Sequence, residues 1–137
     1  MQIALIIALS LHVLSSVFWA GSSFTLARTG GLGGEKLFRP QMGAAVVAIL
    51  TGGYLGHAVH EGAFGAAEKI LAAGALAALV AAFVQGLIGG RAILSLRGGT
   101  ADAADAAGAR SRLATAQRIA ALLLAVTAVC MGAARYA

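Results

Sequence analysis

The chain has 137 residues, enough for one domain, and 60% of them are hydrophobic against only 11% charged. Soluble domains carry roughly 25% charged residues, so this balance excludes a soluble globular protein and points to a bilayer. The net charge of +5 would suit nucleic acid, but the basic residues sit in short loops beside apolar runs, where the positive-inside rule accounts for them, and no nucleic-acid partner is expected.

A bilayer core about 30 Å thick is crossed by roughly 20 apolar helical residues. Four stretches qualify, and helices are predicted at about 2–27, 40–60, 66–94 and 111–135. The first lacks a positive n-region and reads as a span, not a cleaved leader. It contains LSLHVLSSVFWAG, Leu9 to Gly21. At ~1.5 Å per residue, His12 lies about 15 Å from the outer end, near the midplane. Ser15, Ser16 and Trp19 share its face by the helical period. Lipid offers such a face no partner, so it must point into the bundle. His12 is then either a metal or haem ligand or a histidine hydrogen-bonded to another helix. The segment GGLGGEK after it is a flexible turn, since no strand precedes it as a phosphate loop requires.

The second helix is the least apolar, diluted by Thr51, Gly52, Gly53, Gly56 and His57. GGYLGHAVHEG puts His57 about one turn inside the membrane and His60 near the surface, on a shared face. Gly53 and Gly56 remove bulk beside His57, which admits either a flat macrocycle or a neighbouring helix. His57, His60 and Glu61 would form only part of a zinc site.

Lys69 opens the third helix at the same outer end. Its readings are a side chain snorkelling to the interface, a second axial ligand, a propionate partner or a proton-transfer group. Gln85 is a lone amide expected to bond across to another helix, and Gly86 and Gly90 form a small-xxx-small pair for packing within the bundle or in a homodimer. The polar stretch 97–112 is expected to be a loop with fraying helical ends. Cys130 in the fourth helix excludes an internal disulfide and reads as a packing residue. Ser15 and Ser16 lack the orienting acid of a hydrolase, and the spans hold no paired carboxylates, which argues against a proton-coupled pump.

Short connections favour an all-α, integral membrane, up-down-up-down four-helix bundle. The loops bearing Arg28, Lys36 and Arg39, and Arg91, Arg97, Arg110, Arg112 and Arg118, are expected in the cytoplasm. Both termini are then periplasmic in a bacterial inner membrane. All three histidines fall in the outer half, and helices 3 and 4 have none. This asymmetry suits a haem b held between helices 1 and 2, with His12 and His57 facing each other if tilt closes a depth difference of about 9 Å. Copper is the competing cofactor, but copper(I) favours methionine and cysteine, and the chain has three Met and one Cys.

LHVLSSVFWAGSSF, Leu11 to Phe24, resembles the first-helix signature of a superfamily of small membrane proteins that includes the copper-resistance protein D-like family and the HemJ-type protoporphyrinogen oxidases. The matching residues are His12, Trp19 and Gly21, and Lys69 in EKILAAGALAAL looks like the lysine opening the third helix there. The resemblance implies haem b, with His12 and Lys69 as the implicated residues, and oxidation of protoporphyrinogen IX. His57 and His60 lie outside that pattern, and His57 then stands as an alternative partner to Lys69. The expected function is redox: electron transfer with a membrane partner or quinone, or oxidation of a hydrophobic substrate such as protoporphyrinogen or a quinol. A copper-handling protein and a cofactor-free structural or assembly subunit are the alternatives.

Overall fold

The computed structural model describes residues 2–59, 65–99 and 102–137. The described residues form helices and no strand: α1 (Gln2–Arg28), α2 (Gly34–Val59), α3 (Ala66–Arg97) and α4 (Ala103–Ala134). One π turn, Gln85–Gly89, interrupts the α-helical pattern of α3. α1 packs chiefly on α2 and α3 chiefly on α4, and α1 against α4 joins the two pairs.

Composition is inverted relative to a soluble protein. Leu14, Val17, Phe83, Leu122 and Val129 are exposed, while Ser23, Gln41, Gln85 and Gln117 are fully buried. In water that arrangement would be unstable; in lipid it is the favourable one, because the bilayer solvates the apolar exterior and cannot solvate amides. α1, α3 and α4 are each long and apolar enough to cross a membrane. α2 has the length, at 26 residues, but begins with Glu35, Lys36 and Arg39 and carries the glycines and threonine anticipated above.

Two helices start earlier than the sequence suggested. α2 begins at Gly34 and runs through Pro40. Proline removes one helical hydrogen bond, but packing holds this turn: Gly34 lies against the buried Leu113, and Arg97 Nη2 donates to the Glu35 carbonyl at 2.6 Å. α4 begins at Ala103, where Asp102 caps the helix by accepting from the Asp105 amide at 2.8 Å. Its alanine-rich first turns are strong helix formers. At 32 residues α4 spans about 48 Å, so it extends beyond the hydrocarbon core.

The core is built from small residues that allow close helix approach. A central cluster holds Trp19, Ala45, Ala48, Ala81, Ala120 and Leu124, and a second at the arginine-rich end holds Ala92, Ile93, Ala109 and Leu113. Between α1 and α2 the chain turns through Gly31, whose φ of +84° and hydrogen bond to the Leu26 carbonyl close the helix. The half of the bundle away from the arginine-rich end is packed more thinly: no residue of α1 from 9 to 18, or of α2 from 49 to 58, is buried. There the pairs are held individually. His12 ties α1 to α2, and Thr127 Oγ1 donates to the Gly74 carbonyl at 2.9 Å, tying α4 to α3.

Candidate functional site

His12 is half-buried on α1. Its Nδ1 lies 2.9 Å from the Ala48 carbonyl and 3.3 Å from Thr51 Oγ1, both on α2. A carbonyl can only accept, so Nδ1 carries the proton, and in the neutral ring Nε2 carries the lone pair. Thr51 spends its own proton on the Val47 and Ala48 carbonyls, which leaves its oxygen free to accept from Nδ1. Gly52 makes room for the ring, since a Cβ there would stand 2.9 Å from His12 Cε1. Nε2 makes no hydrogen bond among the described residues. The ring is therefore fixed in position and in tautomer, with one basic nitrogen left over. That is the arrangement usual for a metal-bound histidine, whose other nitrogen donates to a carbonyl.

The same bonds bring α1 and α2 into contact at this level. His57 is exposed on the last described turns of α2, five residues beyond Gly52 or about 7–8 Å along the axis. His60 lies outside the described residues. Lys69 is exposed on the first turn of α3. Among the described residues no three His, Cys, Asp or Glu side chains come together as a metal site. Cys130 packs against Gly74, as a small core residue would.

Trp19 belongs to a different constellation, about two turns further along α1. Its Nε1 donates to Gln85 Oε1 at 2.6 Å. Gln85 Nε2 donates to Ser23 Oγ at 2.8 Å and to Gln117 Oε1 at 2.7 Å. Gln41 and Gln117 exchange amide bonds at 3.0 and 2.9 Å, and Gln41 Nε2 also reaches Ser23 Oγ at 3.0 Å. The Ser23 hydroxyl donates to the Trp19 carbonyl. Each helix contributes, and the long amides bridge the diagonals α1–α3 and α2–α4, whose backbones make few contacts. Gln85 opens the π turn, a feature often found where a helix positions a special residue. The sequence flagged Gln85 as a cross-helix bond and placed Trp19 inward. It did not flag Gln41 and Gln117, which lie beside Pro40 and Arg118 and look like span edges. The usable signal was one amide in each of three apolar helices.

Neither a family model, nor a curated protein, nor a solved structure matches the chain.

Proposed function

We propose that the chain is a membrane protein of the bacterial inner membrane that holds a b-type haem through His12 Nε2 and has a redox role. The observation behind this reading is the state of His12: its Nδ1–H is fixed by the Ala48 carbonyl, and its basic Nε2 has no partner among the described residues. When bound, the haem would supply reversible one-electron exchange with a membrane partner or a hydrophobic substrate such as a quinol or protoporphyrinogen. The protein's part is orientation. Ala48 and Thr51 set the tautomer, Gly52 lets the ring lie close to α2, and the thin outer packing gives access from the bilayer. His57 and Lys69 are the candidate second ligands or propionate partners. The arginine-rich end lies in the cytoplasm on this reading.

The test is the visible spectrum of detergent-purified protein. A Soret band, with sharp α and β bands on reduction, is expected, and His12→Ala should abolish it. His57→Ala and Lys69→Ala should shift it if either side chain is the sixth ligand. A colourless preparation from which no haem can be extracted sinks the proposal. The second reading, a cofactor-free helix tie, is favoured by the same hydrogen bonds, which already hold α1 to α2 without any ligand. Copper in elemental analysis of a colourless preparation would instead favour the copper-handling alternative.

A further inference from the structure

At the opposite end from His12, a groove of about 340 Å³ opens between α2 and α3. Three arginines line it: Arg39 from α2, and Arg91 and Arg97 from α3. Its walls are apolar, including Phe38, Leu87 and Leu94. From this geometry we propose that the groove binds the phosphate headgroup of an anionic phospholipid, with the acyl chains lying along Leu87 and Leu94. The inference rests on the membrane character of the helices and not on the haem assignment.

Charge is the first argument. Arg39 and Arg91 have no ion pair and no side-chain hydrogen bond among the described residues. The nearby carboxylate, Glu35, is engaged by Arg110 at 3.5 Å, and Arg97 spends one nitrogen on the Glu35 carbonyl while keeping its other donors. Three arginines line one groove with no carboxylate in its lining, and an anion bound there would offset their mutual repulsion. Planar guanidinium forks suit phosphate oxygens.

Access and shape are the second argument. Leu87 is 45% and Leu94 is 72% exposed, so the apolar wall continues into the lipid-facing surface. A free anion would use the arginines and leave that wall unused; a lipid uses both. Gly86 lies in the lining, and a Cβ added there meets nothing within 4 Å. The missing side chain is part of what makes the groove. Basic pockets between helices at the cytoplasmic side are a known way of holding anionic headgroups.

The experiment is native mass spectrometry of the full chain in detergent, titrated with phosphatidylglycerol or, separately, phosphatidylcholine. Retained phosphatidylglycerol adducts are expected, with phosphatidylcholine much weaker. The pair Arg39→Gln and Arg91→Gln should weaken phosphatidylglycerol binding by roughly 30-fold, from about fivefold per arginine. Gly86→Leu keeps every charge and fills the groove, and it should weaken binding to a similar extent. The charge-matched pair Arg112→Gln and Arg118→Gln should bind as the unmodified chain does. Equal binding of both lipids, equal losses in the control pair, or displacement by inorganic phosphate at lipid-equivalent concentration would each overturn the proposal. Gel filtration and circular dichroism confirm the fold of each variant, and Gly86→Leu carries the test if the double arginine variant fails to fold.

Discussion

Replacing Gln85 with leucine tests whether the buried amides brace the bundle. The variant deletes the bonds to Trp19, Ser23 and Gln117. Ser23 Oγ and Gln117 Oε1 keep Gln41 as a donor, but the Trp19 N–H is left with no acceptor. Interhelical hydrogen bonds in membranes average about 0.6 kcal/mol, and an unpaired buried donor costs about 1–3 kcal/mol more. Leucine recovers little, since lipid is as apolar as the core. The expected loss is about 3 kcal/mol, on the order of a hundredfold in the folded fraction. Adding Trp19→Phe removes the stranded donor, so the double variant should lose about 1–2 kcal/mol less than the two single losses combined. Reversible unfolding in mixed micelles, followed by helical signal, measures all three. A Gln85→Leu loss within 0.5 kcal/mol of zero, an order-of-magnitude tolerance for independent sites, or strict additivity of the pair, refutes the bracing argument.

Gly52→Ala should displace the His12 ring, because its Cβ would stand 2.9 Å from Cε1, and haem retention should fall at least on the order of tenfold by absorbance if His12 holds the iron. Gly56→Ala on the same helix meets nothing within 4 Å and should raise stability by up to about 1 kcal/mol in the same micelle assay, so the two alanines are predicted to act with opposite sign. Gly31→Ala combines a left-handed φ of +84° with a Cβ 2.9 Å from the Arg110 carbonyl, and a loss of about 2–3 kcal/mol is expected by unfolding. In a Cys130→Ala background, a cysteine placed at Leu32 should react with a membrane-impermeant maleimide in inverted vesicles and not in spheroplasts; the reverse pattern would invert the proposed topology.

The helical class was legible because apolar runs of span length are hard to mistake for anything else. Helix starts were not, because they depend on tertiary contacts. Pro40 reads as a beginning until Phe38 and Gly34 are seen packed on α3 and α4, and Asp102 reads as loop until its carboxylate is seen capping α4. The inward stripe of His12 and Trp19 followed from the helical period. What the period could not reveal is that these two residues bond to different helices, His12 to α2 and Trp19 to α3. His57, placed near His12 by depth along the helices, is exposed.

The interlocked amides bear on the order in which the protein is assembled. Each hairpin can insert and pair alone, α1 with α2 and α3 with α4, since His12 and Thr127 make their ties within a hairpin. Gln41 finds Gln117, and Trp19 finds Gln85, only once both hairpins have met. Until then Gln41 keeps only Ser23, Gln85 and Gln117 keep only each other, and the Trp19 N–H lacks its acceptor. The bonds formed only between hairpins, Trp19 to Gln85, Gln85 to Ser23 and Gln41 with Gln117, favour one register of docking, since a shift of one residue would leave them unmatched. Separately expressed hairpins should recombine in lipid with the native glutamines and fail to do so when Gln41 and Gln117 are both leucine.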